Sequence, residues 1–235
     1  MRKQSFLFGA ILSIGAALAV PAPASASLLF TLTEDACSGG CGAPPYGTIL
    51  LSQDGADTVD VLVTLFSPYM FVKTGAGDSL AFSLFSEGTI SITNLTAGFV
   101  VDPTSPIHAS AFGYFEYGID WNGGPGGSSP SAGPLYFEVT DSDGSLTPYD
   151  FITSVTKQGA STVYFLASDI GALGPGGNGN TGNVAALAPC DTTDPRGICF
   201  DEVPPPRQIP EPSTLALLGA GLFSLAIVRR RRTKA

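Results

Sequence analysis

The stretch Asp57-Thr58-Val59-Asp60-Val61-Leu62-Val63-Thr64-Leu65-Phe66 decides the fold class. Val59, Val61, Val63 and Leu65 fall on one parity, and Asp60, Leu62 and Thr64 on the other. A period of two with β-branched residues on one face is the pattern of a half-buried strand. The same alternation recurs outward from it. Leu80, Phe82 and Leu84 alternate with Ala81 and Ser83; Ile90 and Ile92 with Ser91 and Thr93. Leu135, Phe137 and Val139 alternate with Tyr136, Glu138 and Thr140, and Val163 and Phe165 flank Tyr164. Segments 28–33, 46–53 and 111–120 are further candidate strands. About eight strands broken by Gly, Asp and Pro turns predict an all-β fold, an antiparallel two-sheet sandwich with a jelly-roll-like variant in view. One short helix is expected at 148–155, where Thr147 can cap, Pro148 occupies the first position and Asp150 the first turn. The Gly-rich segments 121–134 and 171–183 read as loops, having too little side chain to pack a core.

The two ends of the chain have a different character. Arg2 and Lys3 precede an uncharged apolar run from Phe6 to Val20, followed by Pro21, Pro23 and the small-residue site Ala24-Ser25-Ala26. This is the layout of a secretory signal peptide over 1–26, cut between Ala26 and Ser27. The apolar run is short for a spanning helix, which needs ~20 residues. The expected organisation continues with an exported domain at 27–200 and a proline-rich linker at 201–208, where Pro204, Pro205 and Pro206 favour an extended chain. Segment 209–232 contains Pro210-Glu211-Pro212, an uncharged run at 214–228 and the cluster Arg229, Arg230, Arg231 and Arg232; a cytoplasmic tail, 233–235, ends the chain. As a helix, 214–228 would span ~22 Å of a ~30 Å hydrocarbon core, enough to hold a chain transiently and short for a permanent anchor. The arginines place its C-terminal end on the cytoplasmic side.

Those three elements, in that order and close to the chain end, resemble the PEP-CTERM sorting domain of Gram-negative bacteria. The resemblance covers roughly the last 25 residues. It implies processing by an exosortase, a membrane-embedded protease-like enzyme acting at or near Pro210-Glu211-Pro212. It also implies an association with exopolysaccharide and biofilm formation. Signal peptidase and the Sec machinery are the other partners expected, with the membrane engaged transiently through 214–228.

Between residues 27 and 208 only Lys73, Lys157, Arg196 and Arg207 face nineteen acidic residues, a balance of −15. A surface this acidic repels phosphate backbones and argues against a nucleic-acid partner. The four cysteines all lie in the exported region, where disulfides persist. Their spacing suggests Cys37–Cys41 and Cys190–Cys199, one of three connectivities; spacings of three and eight residues do not resemble a zinc knuckle.

Little points to catalysis, and the reading is of a non-enzymatic protein without cofactor or metal. His108 is the single histidine, and no Gly-x-Ser-x-Gly elbow accompanies it. Glu87, Glu116 and Glu138 are the carboxylates that a glycosidase dyad could use. Asp141-Ser142-Asp143-Gly144 begins like a calcium loop, but Ser145 and Ile152 stand where an EF-hand needs ligands; a simpler calcium site with oxygen ligands gathered from several loops stays open as the alternative to a β-turn. In Phe112–Trp121, alternation puts Phe112, Tyr114 and Glu116 on one face and Phe115, Tyr117 and Ile119 on the other. One of these faces could offer a stacking platform for sugars, so a carbohydrate-binding module is the alternative function, and a carboxylate-dependent glycoside hydrolase a more distant one.

Overall fold

The structure is a computed structural model that describes residues 26–191, apart from 75–76, 87, 143–144, 154 and 157–161. All of these belong to one of the two units into which the chain divides, Ser25–Arg207. The expected linker at 201–208, the sorting segment 209–232 and the helix at 214–228 lie outside the described residues. Among the described residues no helix is long and apolar enough to cross a membrane.

The regular structure of the described domain is almost all antiparallel strand. In chain order they are β1 (Ser27–Asp35), β2 (Gly47–Asp54), β3 (Thr58–Leu65), β4 (Met70–Phe71), β5 (Leu80–Phe82), β6 (Ile90–Thr93), β7 (Phe99–Asp102) and β8 (Ile107–Ala109). They continue with β9 (Gly113–Phe115), β10 (Tyr117–Trp121), β11 (Leu135–Asp141), β12 (Val155–Thr156), β13 (Val163–Tyr164), β14 (Leu166–Gly171) and β15 (Thr181–Asp191). One sheet carries most of them, in the order β6-β11-β3-β2-β1-β15-β14-β5-β10-β7, with β4 paired to β14; β8–β9 and β12–β13 form two small hairpins.

The opening stretch behaves as its alternation predicts. Val59, Val61 and Val63 are fully buried, and β3 pairs with β2 from Asp54↔Thr58 to Gly47↔Leu65. The sandwich, however, is not made from two separate sheets. Six steps along the strand order separate β11 from β5, which in a flat sheet would be about 29 Å. Yet the rings of Phe82 on β5 and Phe137 on β11 lie 5.9 Å apart, so the sheet folds over on itself. Its end strands, β6 and β7, are joined by the five residues 94–98, which ties the two free edges together. The sequential neighbours β1, β2 and β3 form a meander, unlike the strand exchange of a jelly roll.

The core between the two layers is aromatic at its centre. Phe82 stacks on Phe137, Tyr117 and Phe151, with centroids at 5.9, 5.5 and 5.4 Å. Burying such a side chain is worth roughly 1.5–3 kcal/mol each. Phe151 arrives on the expected helix, which is shorter than predicted: a single 3-10 turn, Pro148–Phe151. The Thr147 N–H and hydroxyl donate to Asp150 at 2.7 and 2.8 Å and fix its start. β-branched Val155 and Thr156 then pair with Tyr164 and Val163, which stops the helix from extending.

Six strands the alternation did not show are β4, β7, β8, β12, β14 and β15. The longest, β15, begins inside the segment read as a loop. Its Val184, Ala185 and Ala186 are all buried, as is every residue of β14. Both faces are covered, so neither strand alternates. The second cover is the β8–β9 hairpin with Phe112: Ile107, Ala109, Phe112 and Phe115 pack over Ala81, Ala167 and Ala185 as a separate apolar cluster.

Candidate functional site

Ser27, the first residue after the expected cleavage point, is also the first residue of β1. The Ala26 carbonyl accepts the Gln53 N–H at 2.9 Å. At the far end of β1, Cys37 and Cys41 form a disulfide with Cα atoms 5.4 Å apart. Asp35 holds this loop through both carboxylate oxygens, accepting the N–H groups of Cys37 and Cys41 at 2.8 and 2.9 Å. The Tyr46 hydroxyl donates to the same carboxylate at 3.1 Å; burial first, then Asp35, raises its pKa. The side chains of Asn178 and Asn180 donate to the Gly40 carbonyl and fasten the loop to the start of β15. Cys190 lies at the opposite end of β15, its backbone beside Leu29. Cys199, like Pro210, Glu211, Pro212 and Arg229 to Arg232, lies outside the described residues.

The carboxylates considered for hydrolysis have separate partners. Glu138 accepts from Tyr136 at 3.0 Å and from Asn94 at 2.6 Å, whereas Glu116 lies 3.4 Å from the Leu84 N–H. Glu87 lies outside the described residues, as do Asp143 and Gly144 of the calcium-like loop; Asp141 is the buried last residue of β11. The aromatic segment departs from simple alternation. Phe112 and Phe115 are both buried in the outer cluster, and Tyr114 is 61% exposed with its ring stacked on His108 at 4.6 Å. The cause is a turn: Phe112 N–H donates to the Ala109 carbonyl, and Glu116 separates β9 from β10, so parity is not carried across 111–120.

A polar row that the sequence reading missed crosses the outer face of the sheet. Asn183 on β15 pairs with Asp169 on β14; next come Asp78 and Ser79 before β5, Asp120 on β10 and Asp102 on β7. Asp169 is fully buried, Asp120 4% exposed and Asp78 5% exposed. Asp169 accepts the Thr74 N–H at 2.5 Å and the Thr74 hydroxyl at 2.7 Å. Lys73 ion-pairs with Asp120 Oδ2, which raises the lysine pKa. Asp102 Oδ1 accepts the Thr104 N–H at 2.7 Å. Asp78 Oδ2, Asp120 Oδ1 and Asn183 Oδ1 are buried with no hydrogen-bond partner. Two glycines make room for the row. A Cβ on Gly118 would come 1.7 Å from Asp78 Oδ2, and one on Gly77 would come 2.4 Å from Asn183 Oδ1. The available signal was an isolated Asp inside an otherwise uncharged run, Tyr117-Gly118-Ile119-Asp120-Trp121 and Leu166-Ala167-Ser168-Asp169-Ile170.

Comparison with known proteins adds the terminal segment. Residues 208–232 match the family model for the PEP-CTERM protein-sorting motif. The chain carries a PEP-CTERM sorting signal. Such a signal marks an exported protein, sorted by an exosortase from a membrane-anchored precursor toward the cell surface. The match spans the terminal segment only. No curated protein and no solved structure matches the chain.

The buried row makes stability depend on pH. Burial pushes Asp78 up to about 7, with the charges of Asp102, Asp120 and Asp169 adding to the rise and Lys73 opposing it. Burial likewise raises Asp169 to about 7 against the Thr74 hydrogen bonds, which lower it. Between the ordinary value of 3.8 and about 7 the folded domain therefore holds protons that the unfolded chain releases. Stability from these two acids is fully present at the low end and is lost as pH rises through about 7. Thermal unfolding in a chelating buffer should show a Tm several degrees higher at about pH 5 than at about pH 8, with a smaller difference in Asp169→Asn. A flat or rising Tm over that range would contradict the assignment.

Proposed function

We propose that this PEP-CTERM protein acts at the cell surface or in the extracellular matrix as a non-enzymatic component associated with exopolysaccharide and biofilm. It is exported by the Sec machinery, cut by signal peptidase between Ala26 and Ser27, and then processed by an exosortase near Pro210-Glu211-Pro212. The sorting motif at 208–232 carries this reading. The domain's topology supports it. Leu28 pairs with Asp191, so the start of β1 and the end of β15 lie side by side. The Cys37–Cys41 loop lies at the other end of β1. The test is mass spectrometry of surface-released protein. It should show an N-terminus at Ser27, a C-terminus near Glu211 and no peptide from 215–235. Recovery of the intact terminal segment from cells with an active exosortase would reduce it to an ordinary anchor.

A carbohydrate-binding role is the second reading, and the stacked pair of His108 and exposed Tyr114 favours it. Exposed aromatic faces are the surfaces on which sugar rings pack. On an array of glycans that includes the cell's own exopolysaccharide, Tyr114→Ala should lose most of the signal at unchanged Tm. Binding that Tyr114→Ala leaves intact would remove this pair from the account.

A further inference from the structure

The polar row contains more negative charge than its own partners neutralise. One carboxylate oxygen from each of Asp78, Asp102 and Asp120 lies within 4.8 Å of the other two. These residues come from three separate segments: the approach to β5, the end of β7 and the middle of β10. Gly118 and Asp102 are directly opposed across β10 and β7, and Asp120 lies two residues along the same face from Gly118. Asp78 Oδ2 lies directly over Gly118, so it points into the space that Asp102 and Asp120 flank.

The free oxygens are the decisive observation. Asp78 and Asp120 are more than nine-tenths buried, and each keeps one oxygen without a hydrogen-bond donor. Buried carboxylate oxygens of this kind are costly unless a cation or donor meets them. Lys73 supplies one positive charge, but it engages Asp120 through Oδ2 and leaves Oδ1 unpartnered. Once all three are ionised, three carboxylates against one ammonium leave two negative charges, the amount one divalent ion neutralises.

We propose that Asp78, Asp102 and Asp120 form a Ca²⁺ site, with Asp120 bridging the ion and Lys73. All-oxygen carboxylate donors select a hard cation. At Ca–O distances of about 2.3–2.6 Å, ligand oxygens on one ion can stand up to about 5 Å apart, which the observed spacing meets. Mg²⁺ demands a shorter octahedral shell, with oxygens about 2.1 Å from the metal, and gives up its water reluctantly. A site fixed by strands and a glycine cradle therefore favours the larger ion. The ion would tie the approach to β5 to the edge strand β7, across the ladders that join β5 and β7 to β10.

The test is calorimetric titration of chelator-treated mature protein with CaCl₂, alongside thermal unfolding. One site per chain is expected, with Tm raised by roughly 5–10 °C at a hundredfold excess over Kd. Asp102→Asn, at the partly exposed rim, should keep the fold and weaken binding at least about tenfold. Lys73→Met, which removes a neighbouring positive charge, should tighten binding by on the order of tenfold. MgCl₂ should bind more weakly. Absence of heat and of a Tm shift in the wild-type protein up to about 10 mM Ca²⁺, beyond the usual range of extracellular modules, would overturn the proposal. So would Ca²⁺ binding that Asp102→Asn leaves unchanged, or equal affinity for Mg²⁺.

Discussion

The pairing of β1 with β15 is the constraint on which the rest of the domain depends. It is the seam between the meander β1-β2-β3, with β11 and β6 beyond it, and the other half, β15-β14-β5-β10-β7. The ladder runs from Leu28↔Asp191 to Asp35↔Val184 with two register shifts. Bulges bend and twist a strand pair, and a sheet with a bent seam is one whose halves can close face to face. Pro189 lies beyond 181–186, the part of β15 that β14 pairs with, as a proline in a strand requires an unpaired side. Closure then brings Phe82 onto Phe137 and gives the inner faces a common aromatic core.

Folding over also creates an outer face, and the two halves treat it differently. On the half built from β15, β14, β5 and β10, the outer positions Ala185, Ala167, Ala81 and Gly118 are small and let the β8–β9 hairpin settle as a third layer. One pair further along, the same face turns polar at Asn183 and Asp169, and Asp120 follows on β10. The acidic row is thus the continuation of a packing surface. Burial and mutual repulsion, which raise Asp78 and Asp169, follow from placing acids where a third layer limits the access of water.

What could be read from the sequence divides along the same line. Strands β2, β3 and β11 have one face inward and one toward solvent, and their alternation stated this directly. Strands β14 and β15 are covered on both faces and carry residues that strands disfavour, Asp169 and Gly171 in β14 and Gly182, Asn183 and three alanines in β15, so neither period nor propensity marked them. The sorting motif at 208–232 was legible because such a signal is read from composition and order, independently of any fold. The acidic row was not, because Asp78, Asp102, Asp120 and Asp169 meet only after β14, β5, β10 and β7 are laid side by side. Tyr114 was placed with Phe112 by simple parity, and the turn at Ala109–Phe112 separated them.

A single seam places the start of β1 beside the end of β15 and makes the two halves one cooperative sheet. Native-state hydrogen exchange of the exported domain tests this most directly. The amides of Leu28, Phe30, Leu32, Val184 and Ala186 should exchange only through global unfolding, sharing one free energy with those of β3. Exchange of β15 at a markedly lower free energy, while β1 stays protected by β2, would show two separable sheets and contradict the account.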